Sequence, residues 1–255
     1  MMNKYSEIRR IRELLTAGKA TIGGWMQLGS PAVAEIMGGG GFDWVAVDLE
    51  HGSIGAHQLP NIFRALELGG TLPLVRLAQQ NANDCKQALD AGAGGVIVPM
   101  VESAGQIVLM REASSWPPSG TRGVAYSRAN LYGKNFEEYK LIAQNPLIVA
   151  MVETEMGVNN LKEILEVGRP DAILVGPYDL SASLGVIGNF DNIIFKSAIK
   201  KIESFCVTAR VPLGFHIVNP DKSVLEEKLN EGYQFIAFSM DSVFLELHAK
   251  NPHGK

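Results

Sequence analysis

The run WVAVDLEH at residues 44–51 is apolar and β-branched at first and then ends on charged side chains. Runs of the same kind recur along the whole chain, and their length and composition are typical of β-strands. In chain order the eight candidate strands are TIGGWMQ (21–27), WVAVDLEH (44–51), LPLVRL (72–77), GVIVPMV (95–101), LIVAMVET (147–154), AILVGPYD (172–179), LGFHIV (213–218) and FIAFSMD (235–241).

Amphipathic segments separate these runs, for example HQLPNIFRALEL before the third and NNLKEILEVG before the sixth. Several of them end at glycine, as helices often do. Alternation of strand and helix requires parallel strands with crossover helices, and eight units of about 30 residues match a closed barrel. We therefore predict an α/β protein with one domain over residues 1–255, a single (β/α)8 TIM barrel.

Two segments depart from this repeat. The N-terminal MMNKYSEIRRIRELLTAGK predicts a helix before the first strand, and residues 116–140 form a long excursion before the fifth strand. The alternative fold is a doubly wound open sheet. However, the glycines of AGAGG (91–95) precede a strand, whereas a dinucleotide-binding loop leads from a strand into a helix.

The excursion at 116–140 begins after the fourth helix, so it lies at the bottom of the barrel unless it wraps around to a neighbouring mouth. Loops of this length usually carry function. Tyr126, Arg128 and Tyr132 are therefore candidates for contact with substrate or with another subunit, and the alternative is simple loop packing.

Composition and charge indicate which classes of binding partner are unsuited to this protein. The net charge of −4, with acidic and basic residues interspersed, gives no footprint for nucleic acid or for an anionic membrane. The charged N-terminus cannot serve as a signal peptide and no apolar stretch reaches bilayer length, so we expect a cytoplasmic protein. Cys85 and Cys206 lie apart and are interpreted as buried thiols.

Ionisable residues close or interrupt four of the apolar runs: His51, Arg76, Glu153 and Asp179. In a barrel, catalytic groups lie where strands end at the carboxyl face, so these four side chains are expected to converge. Glu153 and Asp179 form an oxygen-only pair that suits Mg²⁺ or Mn²⁺ and leaves positions for a 2-keto acid. Arg76 would stabilise the charge of an enolate, and His51 would carry the proton.

Each residue also has a simpler interpretation. A carboxylate at a strand end can cap the next helix, and a buried arginine can serve an ion pair alone. Met151 is interpreted by default as barrel filling. His216 ends the seventh strand and could reach the mouth, but we favour a barrel histidine with its hydrogen bonds satisfied. Because no strand run contains a lysine, a Schiff-base aldolase is disfavoured, and no Gly-x-Ser-x-Gly motif supports a serine hydrolase.

Taken together, FDWVAVDLEHG, PLVRL, GVIVPMVES, GTRGVAYSRANLYG, VETEMGVNN and VGPYDLSASLG resemble the HpcH/HpaI aldolase family over nearly the whole chain. The resemblance implies a (β/α)8 barrel of the class II pyruvate aldolases, usually a hexamer built as a trimer of dimers. It also implies a divalent metal, Mg²⁺ or Mn²⁺ with Co²⁺ as an alternative. The implied reaction is reversible cleavage of a 4-hydroxy-2-keto acid to pyruvate and an aldehyde.

The resemblance also assigns roles to residues. His51 matches the family's catalytic base, Arg76 the enolate stabiliser, and Glu153 and Asp179 the metal ligands. Asp90 matches an aspartate that orients and charges the histidine. Asp48 and Glu50 belong to the same second-strand motif as His51, and Glu50 is a candidate to hold water at the metal.

Two departures from the family pattern put the substrate in question. Met151 stands where pyruvate aldolases place a glutamine that bonds the substrate, and Tyr178 replaces a small residue beside Asp179. Both are therefore candidate substrate-contacting residues. The alternative hypothesis is a citrate-synthase-like enzyme or an acyl-CoA lyase. A third hypothesis is a keto-acid-binding protein without catalytic activity.

Overall fold

The structure is a computed structural model that describes residues 2–254. Within them, eight parallel strands close into a barrel in which each strand pairs with its neighbours in sequence and β8 pairs with β1. The strands are β1 (Thr21–Met26), β2 (Trp44–Asp48), β3 (Leu72–Arg76), β4 (Gly95–Val98), β5 (Leu147–Val152), β6 (Ala172–Val175), β7 (Leu213–Ile217) and β8 (Phe235–Phe238). The predicted (β/α)8 barrel is confirmed, and the open doubly wound sheet is excluded.

Helices surround the barrel. They are α1 (Lys4–Thr16), α2 (Pro31–Gly38), α3 (Leu59–Leu68), α4 (Ala82–Ala91), α5 (Ala104–Ser114), α6 (Phe136–Ala143), α7 (Glu155–Asn159), α8 (Leu161–Glu163), α9 (Pro177–Ser183), α10 (Ile193–Ala209), α11 (Lys222–Asn230) and α12 (Asp241–His248). All eight predicted strand runs extend past the observed strands, by one to four residues. The polar tail of the run 44–51 forms the turn after β2. The tail of the run 172–179 begins α9, because Pro177 favours the first turn of a helix.

Alternation of side chains along the strands divides the core into two apolar clusters. Residues that point outward pack under the helices, and residues that point inward fill the barrel. At the base of the inner cluster, the rings of Trp44 and Phe235 stack with centroids 4.2 Å apart. A Cβ on Gly23 of the neighbouring strand would lie 2.2 Å from the Trp44 indole, so this position must be glycine for the ring to fit.

Helix α1 closes the bottom of the barrel. Its Ile8, Ile11 and Leu15 join the inner apolar cluster, which confirms the helix predicted before the first strand. Two ion pairs fasten it to residues that precede strands: Arg12 Nε lies 2.7 Å from Asp171, and Arg10 Nη1 lies 2.8 Å from Asp43.

The excursion at 116–140 stays on the same bottom face. Arg128 donates to both carboxylate oxygens of Glu67, at 3.2 and 2.9 Å, and to the carbonyl of Ala91 at the end of α4. Tyr126 packs on Phe136 with ring centroids 5.4 Å apart. Within one chain, Arg128 and Tyr126 therefore serve loop packing rather than the mouth of the barrel.

Tyr132, the third candidate in the excursion, is exposed and accepts a 3.4 Å hydrogen bond from Arg64 of α3. It too lies away from the carboxyl ends of the strands within its own chain. In the part of the chain that the structure describes, no helix is both long enough and apolar enough to cross a membrane.

The contact between Gly23 and Trp44 gives a test of the packing at the barrel base. Gly23→Ala should lower the free energy of unfolding by about 1–3 kcal/mol, because the added methyl overlaps the stacked indole. Urea denaturation measures the change. Gly105→Ala, in the first turn of α5, is the control because its Cβ would meet only Ser103 Oγ at 3.9 Å. Equal stability of the two variants would contradict this view of the core.

Candidate active site

The inward-facing ends of β2 and β3 carry a buried ion pair. Asp48 and Arg76 are direct neighbours in the strand register, and both side chains are buried. Arg76 Nε donates to Asp48 Oδ1 at 2.9 Å, and Nη2 donates to Oδ2 at 2.5 Å. This two-point contact fixes the plane of the guanidinium. Asp48 is thus the charge partner that a buried Arg76 requires.

Asp48 also organises the turn that follows it. Its Oδ1 accepts hydrogen bonds from the backbone N–H groups of Glu50 and His51, at 3.0 and 3.2 Å, and Trp25 Nε1 donates to Oδ2 at 3.1 Å. Burial disfavours the charged carboxylate, but the hydrogen bonds and charge of Arg76, with those from Trp25 and His51, lower the pKa of Asp48 to about 2. The carboxylate is therefore ionised at neutral pH.

Glu50 completes this charge cluster. Its Oε2 lies 3.0 Å from Arg76 Nη1, an ion pair without the alignment of a hydrogen bond. Burial, the first cause, raises the pKa of Glu50 against the attraction of Arg76, and the charge of Asp179 adds to the rise. Glu50 and Asp179 thus share one electrostatic site although they follow different strands.

Glu153 follows β5 and is almost fully buried, at 2% exposure. Its Oε1 accepts a 2.6 Å hydrogen bond from the backbone N–H of Met100, whereas its buried Oε2 has no hydrogen-bond partner within residues 2–254. Burial, together with the charges of Asp179 and Glu50, raises the pKa of Glu153 to about 7. A buried carboxylate oxygen beside like charges favours a proton or a cation.

The helix-capping interpretation of Glu153 is not supported, because its neighbour Thr154 caps α7 by accepting from Gly157 N at 3.0 Å. Asp179 lies in the first turn of α9. Glu153 and Asp179 line one open cavity of about 530 Å³, together with Met100, Glu102 and Thr154. The two predicted ligands therefore converge.

A divalent cation fits this pair. Glu153 Oε2 is free of hydrogen bonds, and carboxylate oxygens are the donors that Mg²⁺ and Mn²⁺ prefer. Over the described residues there is no group of three or more His, Cys, Asp or Glu side chains able to hold a metal, so the candidate site rests on Glu153 and Asp179.

Gly176, which sequence reasoning passed over, makes room for Glu153. It precedes α9, and a Cβ there would lie 2.5 Å from Glu153 Oε2 and 3.0 Å from the methyl of Met151. Its position between an apolar strand and the Pro177–Asp179 turn was the available signal. A glycine here leaves the room that the Glu153 carboxylate and the Met151 methyl occupy.

His51 lies in the turn after β2 with its side chain exposed at the mouth. Its backbone is fixed by Asp48, and its charge acts on Glu50 to lower the pKa of that carboxyl. The structure thus brings His51 to the same rim as Arg76, Glu153 and Asp179, as the sequence predicted.

Asp90 does not lie at this rim of the barrel. It occupies the last turn of α4, which ends at the bottom of the barrel where Lys4 and Arg128 bond the carbonyls of Gly92 and Ala91. The charges that act on its carboxyl are those of Arg122 and Lys86. Within one chain Asp90 therefore cannot orient His51, because helix α4 separates it from the mouth by its full length.

Met151 and Tyr178, the two residues that depart from the family pattern, lie in different environments. Met151 is 2% exposed and belongs to the inner apolar cluster, one step below Glu153 on β5. It fills the barrel and offers no strong hydrogen bond. Tyr178 is 45% exposed and packs edge-on against Phe190, with ring centroids 5.1 Å apart. Of the two, only Tyr178 reaches open space.

The prediction that His216 on β7 has its hydrogen bonds satisfied inside the barrel is wrong for Nε2. His216 is buried, it packs on Trp25 with ring centroids 4.7 Å apart, and its Nε2 has no hydrogen-bond partner in the described chain. Burial, assisted by the positive charge of Arg76, lowers the pKa of His216 to about 4. The imidazole is therefore neutral at neutral pH.

Known proteins are similar to this chain in sequence and in fold. A 2-dehydro-3,6-dideoxy-6-sulfogluconate aldolase from Pseudomonas putida is 35% identical over 234 residues, which cover 91% of each chain. A hydroxypyruvate/pyruvate aldolase from Roseobacter denitrificans is 32% identical over 241 residues, which cover 93% of each chain. A solved HpcH/HpaI aldolase/citrate lyase family protein from Burkholderia cenocepacia has a TM-score of 0.88 at 27% identity, covering 94% of this chain and 96% of that one.

The sequence signature described as HpcH/HpaI aldolase/citrate lyase matches residues 21–246, which include all eight strands and the rim residues just described. The chain therefore belongs to the HpcH/HpaI aldolase/citrate lyase family and is an enzyme of its aldolase and lyase type.

Proposed function

We propose that the protein catalyses the reversible, divalent-metal-dependent cleavage of a 4-hydroxy-2-oxo acid to pyruvate and an aldehyde. The observation that carries the proposal is the Glu153 carboxylate, which is buried beside Asp179 with Oε2 unpaired in the described chain. A cation bound by this pair would polarise the keto oxygen of the substrate as a Lewis acid.

Arg76 is suited to bind the developing negative charge. Asp48 accepts from two of its five N–H groups, and the ion pair with Glu50 makes no hydrogen bond, so three N–H groups remain for the substrate. The bidentate pair with Asp48 holds these donors in a fixed direction before the substrate arrives. Preorganised donors of this kind stabilise an enolate without a cost of reorientation during the reaction.

His51 is suited to move the proton. It stands exposed on a turn fixed by Asp48, at the rim that also holds Arg76 and Glu153. An imidazole nitrogen can accept a proton from the substrate hydroxyl and return it in the reverse reaction. Aldol cleavage breaks the bond between C3 and C4, leaving its electron pair on C3 as the enolate of pyruvate.

The proposal is tested by the exchange of pyruvate methyl protons with deuterated solvent, followed by ¹H NMR. We expect exchange with added Mg²⁺ and none after exhaustive chelation. Exchange that survives chelation would contradict the role given to Glu153 and Asp179. Pyruvate release from a panel of 4-hydroxy-2-oxo acids then identifies the aldehyde, whereas turnover of CoA thioesters alone would favour the citrate lyase type of reaction.

Arg76→Ala should lower the exchange rate by about 10²-fold or more, the scale for loss of one preorganised charge stabiliser. It should also cost about 3–5 kcal/mol of stability, since Asp48 is then buried without its partner. The double variant Arg76→Ala with Asp48→Asn removes that charge. We expect it to recover much of the stability and none of the activity, and recovery of exchange would refute the role of Arg76.

The raised pKa of Glu153 makes the stability of the metal-free protein depend on pH. The folded protein binds a proton at Glu153 up to about pH 7, whereas the unfolded chain releases it near 4.5, so stability falls as the pH rises through this interval. Glu153→Gln should therefore raise stability at pH 8 by up to about 3 kcal/mol without metal.

Thermal unfolding with and without Mg²⁺ measures this effect. We expect Mg²⁺ to stabilise the wild-type protein, and this stabilisation should disappear in Glu153→Gln. Glu163→Gln, on the exposed face of α8, is the matched control and should change neither property. A Glu153→Gln protein that Mg²⁺ still stabilises would show that the cation binds elsewhere.

A further inference from the structure

A bulge at the end of β4 directs one backbone N–H to the candidate metal ligand. Val98 is the last residue of β4 that pairs with β5. Continued in this register, the ladder would bond the N–H of Met100 to the carbonyl of Met151, but that carbonyl accepts from Val101 N at 3.0 Å. The Met100 N–H donates instead to Glu153 Oε1 at 2.6 Å. Bulges often redirect groups in this way beside active sites.

The bulge requires an unfavourable backbone conformation. Met100 has a φ of 49°, in the left-handed region, although it is not glycine. Its side chain is 43% exposed, so burial of the thioether does not hold the residue in place. Pro99, which precedes it, has no N–H with which to extend the ladder. The conformation therefore needs support from another part of the chain, and strain maintained in this way often marks a functional site.

The side chain of Gln80 supplies this support from the loop between β3 and α4. Its amide Nε2 donates to the carbonyl of Pro99 and, at 2.7 Å, to the carbonyl of Met100. A side-chain amide has two N–H donors, so it can bond both carbonyls at once. Because these carbonyls belong to consecutive residues, the two hydrogen bonds fix the orientation of the backbone on both sides of the Met100 Cα atom.

One peptide group connects Gln80 to Glu153. The carbonyl of Pro99 and the N–H of Met100 belong to the same planar unit and point in opposite directions. Gln80 bonds the carbonyl end, and Glu153 Oε1 accepts from the N–H end. Consecutive hydrogen bonds of this kind strengthen one another. Oε1 is thereby occupied, whereas Oε2 has no hydrogen-bond partner in the described chain.

We propose that Gln80 is a positioning residue for the cation. Through the peptide between Pro99 and Met100, it holds Glu153 in the orientation that leaves Oε2 for a divalent metal. Gln80 itself contacts neither the metal nor the substrate. The inference rests on the proposed function, because it requires a cation at Glu153 and Asp179. Loss of a residue that orients a metal ligand typically lowers metal affinity by about 10- to 100-fold.

Gln80→Glu tests this role without a change in side-chain size. It replaces the N–H donors by a carboxylate oxygen, which the two backbone carbonyls repel. We expect the Kd for Mn²⁺, measured from the electron paramagnetic resonance signal of the unbound ion, to rise about 10- to 100-fold. Gln79→Glu adds the same charge at the neighbouring exposed position and is the matched control. Since an added negative charge attracts a cation, the control should not raise the Kd.

A second variant and a kinetic measurement separate positioning from general damage to the fold. Gln80→Ala removes both donors without adding charge, so its Kd for Mn²⁺ should rise as well. In the exchange of pyruvate methyl protons, both variants should need more Mn²⁺ to reach half of the maximal rate and should approach the wild-type rate when Mn²⁺ is saturating. An unchanged Kd in both variants overturns the inference, as does an equal rise of the Kd in Gln79→Glu.

The Mn²⁺ titration also distinguishes failure of this inference from failure of the proposed reaction. Weaker Mn²⁺ binding in both Gln80 variants, in a protein whose wild type exchanges no pyruvate protons, would support the positioning role and overturn the aldolase proposal. Metal-dependent exchange in the wild type, with the same Kd in both variants, would do the reverse. A wild-type protein that binds no Mn²⁺ overturns the cation site and the positioning role together.

Discussion

The ion pair between Asp48 and Arg76 is the interaction on which the mouth of the barrel depends. Two hydrogen bonds join the side chains across neighbouring strands, and the same carboxylate holds the turn that carries His51. A buried ion pair is stable only if additional hydrogen bonds satisfy the remaining polar atoms of its two groups. Asp48 meets this condition by accepting from Trp25 as well, so that one buried carboxylate fixes the guanidinium, the indole and the histidine turn together.

The other carboxylates at the mouth of the barrel lie close to like charges. Glu50, Glu153 and Asp179 repel one another, and with Asp48 they outnumber the single positive charge of Arg76. The fold tolerates this excess because Glu153 binds a proton more readily than a free glutamate does. A divalent cation would relieve the same repulsion. Burial of Glu153, together with the charges of Asp179 and Glu50, raises its proton affinity, and the same surroundings favour the proposed cation.

Much of this arrangement follows from local patterns. Alternation of strands and helices predicts the barrel, and the two-residue period of a strand places Asp48 and Arg76 inside it. The location of Asp90 and the path of residues 116–140 depend on packing at the barrel bottom, which no local pattern encodes. Likewise, the unpaired nitrogen of His216 depends on its neighbours in space, such as Trp25, which no local pattern of the sequence encodes.

The seal made by α1 over the stacked Trp44 and Phe235 rings closes the bottom of the barrel within the described residues. The cavity beside Glu153 and Asp179 is open at the opposite end. Any molecule that reaches these two carboxylates therefore enters and leaves from the same side of the barrel.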